Sequence, residues 1–189
     1  MRLIIGISGA SGVIYGIRLL ELFHEQSDIE THLVITEMGR ATISMETDYS
    51  IKGVEALADY VHNIRDMASS ISSGSFSSDG MIVAPCSVKT LSSVANCSND
   101  NLLTRAADVT LKEHRRLLLL IRETPLNEGH CRLMLDATRM GAILMPPLPA
   151  FYTRPESISE MVDQTLGRVL DFWGLDLVPI KRWDRKSGH

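Results

Sequence analysis

Leu3-Ile4-Ile5-Gly6-Ile7-Ser8-Gly9-Ala10-Ser11-Gly12-Val13-Ile14-Tyr15-Gly16 opens the chain, and its reading decides the fold. Leu3 to Ile7 is a short, β-branched apolar run, the pattern of a strand buried on both faces of a parallel sheet. Gly6, Gly9 and Gly12 follow, interleaved with Ser8 and Ser11. Val13, Ile17, Leu20 and Phe23 then recur at helical spacing. Strand, small-residue turn and helix together aim backbone N–H groups and a helix N-terminus at an anion. The same turn equally serves close packing of a helix on a strand. It is neither of the common phosphate loops: no Gly-Lys-Ser/Thr follows, and Ser8 breaks the first Gly-x-Gly. Both readings stay open at this turn.

Working outward, residues 31–36 (THLVIT) read as a second strand, 37–46 as a helix, and 53–62 (GVEALADYVH) as a modest amphipathic helix. A further apolar strand, 81–84, runs into Pro85-Cys86-Ser87-Val88-Lys89-Thr90, where Ser87 suits a helix N-cap and Thr90 the first turn. Residues 117–121 and 142–145 read as strands; 101–113, 130–140 and 157–173 read as helices. Alternating strands and helices imply parallel strands joined by right-handed crossovers. The expected fold is α/β: a single-domain, doubly wound (Rossmann-like or flavodoxin-like), mostly parallel sheet with helices on both faces. Two strand–polar turn–helix junctions, at 9–12 and 87–90, mark the crevice where such sheets bind ligands.

Length and composition narrow the function. A chain of 189 residues suits one domain, read as residues 1–180 with a basic tail at 181–189. A net charge of −4 argues against nucleic-acid binding, which relies on neutralising phosphates. No apolar run reaches the length of a membrane span. Cys86, Cys97 and Cys131 form neither a CxxC nor an even framework, as expected of reduced thiols in the cytoplasm. The six histidines show no metal-ligand spacing, so no metal site is expected.

Three further features carry chemistry. Residues 69–78 hold seven serines in ten positions, composition that fits either a solvated loop or a hydroxyl-rich wrap around a phosphate. Arg105 and Lys112, seven apart on the 101–113 helix, share a face that is either solvated or part of a site. Arg122 and Glu123 stand at the carboxyl end of an apolar strand, where charges are costly without a partner or a wet cleft. Pro146, Pro147 and Pro149 stiffen the approach to Phe151 and Tyr152.

These motifs together resemble the UbiX-type flavin prenyltransferases, also known as phenylacrylic-acid-decarboxylase-like flavoproteins. The resemblance runs from about residue 2 to Trp183. It rests on Gly9-Ala10-Ser11-Gly12 with Tyr15-Gly16, Glu46-Thr47-Asp48, Ser73-Gly74-Ser75 and Pro85-Cys86-Ser87-x-x-Thr90-Leu91. Asn101-Leu102, Arg105 to Val109, Leu111-Lys112-Glu113, Arg122-Glu123-x-Pro125, Phe151-Tyr152-x-x-Pro155, Arg168 and Arg182-Trp183 continue it.

The resemblance implies FMN binding by Gly9, Ala10, Ser11, Thr36, Ser87, Val88, Lys89, Thr90 and Arg122. Position 36 is a serine-type contact in the family, and threonine keeps its hydroxyl. The resemblance assigns dimethylallyl monophosphate to Ser73, Gly74, Arg105, Lys112, Tyr152 and Arg168, with Trp183 lending an aromatic face. Glu123 is expected as the acid/base, with Glu46 assisting and Ser11 near the reacting flavin nitrogen. The implied reaction is a metal-independent transfer of the prenyl group to reduced FMN, yielding a product for a separate decarboxylase. It also implies a homo-oligomer, usually dodecameric, with sites at subunit contacts. Two alternatives are weaker. A direct FMN-dependent decarboxylase related to the cysteine decarboxylases would carry Pro-x-Met-Asn-x-x-Met-Trp, whereas Pro146 to Pro149 leads into Ala-Phe-Tyr here. A non-enzymatic flavin carrier would leave Lys112, Arg105 and Arg168 without a purpose.

Overall fold

The computed structural model describes residues 1–183; residues 184–189, most of the expected basic tail, lie outside the described residues. Two compact units divide the chain, Met1–Pro146 and Pro147 onward. The first unit holds strands β1 (Arg2–Ile7), β2 (Glu30–Ile35), β3 (Tyr60–His62), β4 (Gly80–Cys86), β5 (Arg116–Ile121) and β6 (Ile143–Leu144). Its helices are α1 (Val13–His24), α2 (Glu37–Glu46), α3 (Ile51–Glu55), α4 (Val88–Ala95), α5 (Leu102–Lys112) and α6 (Glu128–Arg139). The sheet order is β3-β2-β1-β4-β5-β6, and every pairing is parallel. The chain winds one way from β1 and the other way from β4. The switch point between these strands lies at the carboxyl ends that carry the two polar turns.

Alternation along each strand feeds both faces. Ile4, Val34, Met81, Val83, Leu117 and Leu119 pack with Leu91, Leu102, Leu103 and Ala106 of α4 and α5 in one core. On the other face, α1 approaches so closely that a Cβ on Gly16 would sit 2.2 Å from the Ala84 carbonyl oxygen. No side chain larger than hydrogen fits there.

Polar side chains start the helices. Thr36, Ser50, Ser87, Asn101 and Asn127 each accept a backbone N–H as N-caps of α2 to α6. α1 differs: Gly12 precedes it at φ 96° with no cap of its own, and the carboxylate comes from elsewhere.

Three expectations need correction. Thr36 caps α2 rather than closing the second strand, which ends at Ile35. The helix expected over 53–62 is two elements, α3 and the edge strand β3. The Asp59 carboxylate accepts the Thr31 N–H and hydroxyl at 2.7 and 2.9 Å, drawing the chain alongside β2. Tyr60, Val61 and His62 then pair with His32, Leu33 and Val34. The strand expected over 142–145 contracts to Ile143–Leu144.

The second unit contains a 3-10 turn, Phe151–Thr153, helix α7 (Ile158–Leu170) capped by Ser157, and a 3-10 turn, Asp171–Trp173. No described helix is long and apolar enough to cross a membrane.

Candidate active site

A cleft of about 540 Å³ opens at the carboxyl ends of the strands, lined by Gly9, Thr36, Met38, Ser87 to Thr90, Asn101, Thr104 and Glu123 among others. Its volume lies within the roughly 300–1,000 Å³ of small-molecule sites. Beside the cleft, Ser8, one of the two turn serines whose hydroxyls the sequence offered as phosphate donors, directs its proton into the protein instead. The buried Ser8 hydroxyl donates to the Pro85 carbonyl at 2.9 Å and accepts the Ser87 N–H at 2.8 Å. One hydroxyl thereby locks the end of β1 to the end of β4. Ser87 Oγ accepts the Thr90 N–H at 3.2 Å and contacts Thr90 Oγ1 at 3.1 Å, so the first turn of α4 faces the cleft in fixed register.

Thr36 Oγ1 accepts the Gly39 N–H at 2.9 Å and keeps its own proton for a ligand. Met38 stays 62% exposed at the cleft, an apolar wall without a protein partner to bury it. Lys89 brings a cation to the rim. Glu123 lines the cleft with Oε1 accepting the Thr124 N–H at 3.0 Å. Arg122 is exposed; its N–H donates to the Cys86 carbonyl, and no ion pair joins it to Glu123 among the described residues.

Ser11 is exposed beside Ala10 at the head of α1. Glu46 reaches this turn from the end of α2. Its Oε2 accepts the N–H groups of Gly12 at 2.8 Å and Val13 at 3.4 Å. The chain thus places one of its own carboxylates at this helix N-terminus, where it holds the Ser11 turn in place.

Ser73, Gly74, Arg105 and Lys112 form a second group. Arg105 donates to the Ser72 carbonyl at 3.1 Å and to Asp108 at 2.9 Å, while Arg115 donates to the carbonyls of Gly74 and Phe76. The 69–78 segment is thus folded, with a 3-10 turn at Ser70–Ser72 and Ile71 buried. Lys112 pairs with Glu113, whose carboxyl it holds below the usual range. A Cβ on Gly74 would sit 2.1 Å from Glu113 Oε1 and 2.7 Å from Lys112 Nζ, so the glycine leaves room for this ion pair over the loop. Asn101 and Thr104 line the cleft at the head of α5, but Lys112 ends the helix, roughly 16 Å along the axis from Asn101. Within one chain, Lys112 and the strand-end cleft stand apart.

The second unit gathers Tyr152, Arg168 and Trp183 around its last described residues, 181–183. Gln164 exchanges two hydrogen bonds with the Lys181 backbone, at 2.9 and 3.0 Å. Tyr152 donates to the Lys181 carbonyl at 3.3 Å and meets Trp183 edge to face, with ring centroids 5.4 Å apart. Asp171 accepts a fork from Arg182 at 2.7 and 2.9 Å and pairs with Arg168 at 3.2 Å. These guanidinium groups, Arg182 foremost, hold the Asp171 carboxyl below its ordinary value. The sequence reading gave Asp171 no role; its i,i+3 spacing from Arg168 was the available signal. No cluster of three His, Cys, Asp or Glu among the described residues is placed to hold a metal.

An open parallel sheet with its cleft at the switch point between β1 and β4 defines a nucleotide-binding α/β protein of the Rossmann type. The Flavoprotein family model matches residues 1–146. The flavin prenyltransferase UbiX of Escherichia coli K12 is 57% identical over 176 residues, 93% of each chain. A dodecameric FMN-dependent UbiX-like decarboxylase from Escherichia coli O157:H7 superposes with a TM-score of 0.95 at 48% identity, covering 97% of this chain and all of the other. AnUbiX (PadA1), solved in complex with FMN and dimethylallyl pyrophosphate, gives 0.94 at 51% identity, covering 97% of each chain. The chain belongs to the UbiX-type flavin prenyltransferases of the Flavoprotein family.

Proposed function

We propose that the protein moves a dimethylallyl group from dimethylallyl monophosphate to reduced FMN and supplies the prenylated flavin to a separate decarboxylase. The observation that carries this reading is the strand-end cleft with Thr36, Ser87, Thr90 and Glu123 on its walls, in a chain 57% identical to a flavin prenyltransferase. The cleft fits a flavin: Met38, Val88 and Ile64 offer apolar faces to a planar ring, and α4 offers N–H groups beside Lys89 to a phosphate. Gly9, Ala10, Ser11, Thr36, Ser87, Val88, Lys89, Thr90 and Arg122 hold the cofactor. Reduced FMN, when bound, supplies the nucleophilic ring atoms that accept the prenyl group.

The chain's own residues do the rest. Arg105, Lys112 and Arg168, with Ser73 and the Gly74 backbone, bind the donor phosphate, whose charge of roughly −1.5 to −2 near neutral pH needs several cations. They hold that charge as the allylic C–O bond breaks. Tyr152 and Trp183 present aromatic faces to the allylic cation. Glu123 is the base: Oε1 accepts the Thr124 N–H, which leaves Oε2 to take the ring proton that a bound flavin would give up if the prenyl group made a second bond to it, carbon to carbon. Glu46 fixes the turn that presents the Ser11 hydroxyl.

Because Lys112 and the cleft stand apart in one chain, the site is completed at contacts between copies, in a dodecamer like that of the UbiX-like relative. The protein works in the cytoplasm, a reading supported by its three free cysteines. Incubation with reduced FMN and dimethylallyl monophosphate, followed by mass analysis of the extracted flavin, tests the function. A gain of one C5 unit is expected; unchanged FMN overturns it.

A further inference from the structure

The sheet edge carries a hydrogen-bonded chain that the reaction does not use. Arg2 pairs with Glu30; Glu30 Oε1 lies 2.8 Å from His32 Nε2, His32 Nδ1 2.9 Å from His62 Nε2, and His62 Nδ1 2.7 Å from Ser69 Oγ. His32 is buried, stacked on Tyr60 at 4.7 Å and on His62 at 5.1 Å, with the Phe76 edge against it. The protons in this chain have one neutral arrangement. A carboxylate only accepts, and Arg2 holds Glu30 ionised, down to about 2, so His32 Nε2 is the donor. His32 Nδ1 therefore accepts, His62 Nε2 donates to it, and His62 Nδ1 accepts the Ser69 hydroxyl proton. An added proton goes on His62 Nδ1 and makes the Ser69 hydroxyl the acceptor. A second cannot be placed, because two N–H groups would face each other across 2.9 Å.

Ser69 begins the loop that leads to Ser73 and Gly74. We propose that His62, backed by His32, is a positioning residue for this loop: a proton-sensitive clasp that sets Ser73 and Gly74 for the donor phosphate. The inference rests on the prenyltransferase reading for what the loop binds, but not for the clasp itself. Arg105 and Arg115 hold the carbonyls of Ser72, Gly74 and Phe76, so the clasp fixes where the loop begins and the two arginines carry that position on through Ser73 and Gly74. The groups facing the pair are Glu30 on β2, Arg2 on β1, Tyr60 on β3 and Asp66 in the turn after it. Burial first, then His32, pushes the His62 imidazole below its ordinary value, while Asp66 pulls it back. A depressed imidazole favours the folded clasp above its unfolded value of 6.5, and that contribution is lost as pH falls through the lower folded value.

The test compares wild type, His62→Gln and His62→Leu in steady-state kinetics with dimethylallyl monophosphate between pH 5.5 and 7.5. Glutamine can make both hydrogen bonds and does not titrate; leucine makes neither. His62→Leu is expected to raise the donor KM about 2- to 10-fold with kcat unchanged, the loss of a net hydrogen bond read as uniform binding. The donor's own phosphate titrates near 6, so the informative quantity is the ratio of wild-type to His62→Gln KM. It is expected to climb several-fold on acidification. A flat ratio, or a donor KM in His62→Leu equal to wild type, overturns the clasp. Hydrogen-exchange protection of residues 69–76, corrected for intrinsic pH dependence, reads the loop without turnover. It is expected to fall at pH 5.5 in wild type and to hold in His62→Gln; equal protection in both overturns the proposal even if His62→Leu does not fold. A wild type that makes no prenylated flavin fails the functional reading, and exchange alone then judges the clasp.

Discussion

Lys112 closes the last turn of α5, with its ammonium on Glu113 and Gly74 beneath it. If it binds the donor phosphate, Lys112→Met lowers prenyl transfer by roughly 10- to 100-fold, the equivalent of one charge-assisted contact. FMN affinity, carried by other residues, stays near wild type. Paired turnover and flavin-titration measurements check both; unchanged turnover returns Lys112 to the solvated surface. Charge type and helical spacing put Arg105 and Lys112 on one face before any fold was known, but left that face either solvated or part of a site; the family resemblance alone gave it a role. The role of Ser8 was not legible. A hydroxyl in a glycine-rich turn looks the same whether it faces solvent or locks two strands, and its partners, Pro85 and Ser87, lie 77 and 79 residues away.

Elements followed the sequence wherever period and cap agreed. Ser87 marked the start of α4 because the capping side chain is local to the helix it begins, while Asn101, read as the first residue of its helix, is the cap of α5. The 53–62 segment broke this agreement: its apolar spacing suited a helix, yet Asp59 and an edge pairing drew its last three residues into the sheet. A strand that short has no period to read. Contact between elements can be tested at Gly16, where the Ala84 carbonyl and Ile7 Cγ1 lie 2.2 and 2.8 Å from an added Cβ. A backbone oxygen cannot swing aside, so in Gly16→Ala α1 must back away from β4. The expected cost is about 1–3 kcal/mol, measured as a lower urea midpoint with unchanged slope. A variant as stable as wild type contradicts this packing.

At the scale of the whole molecule, several large apolar side chains remain exposed, including Met38, Met45, Leu148, Phe151 and Ile158 at 62–79%. Exposure of this kind suits surfaces covered by other copies, and sedimentation is expected to give an assembly of twelve chains. A stable, fully active monomer contradicts the composite site. Sequence patterning could not supply this assembly, because an apolar residue reads alike whether its own chain or another covers it; only the family resemblance pointed to it. The thiols add a separate consequence. Cys86 ends β4 fully buried, its ionisation pushed far up by burial, whereas Cys97 and Cys131 are exposed. A mild alkylating reagent should tag two sulfurs promptly and the third only during excursions in which the β4–α4 junction breathes open. The lag before the third tag is then a stopwatch on that breathing. A ligand that seats only in the closed cleft multiplies the lag by a factor of one plus the ratio of its concentration to its Kd. Counting labels by mass would turn an inert core cysteine into a gauge of occupancy.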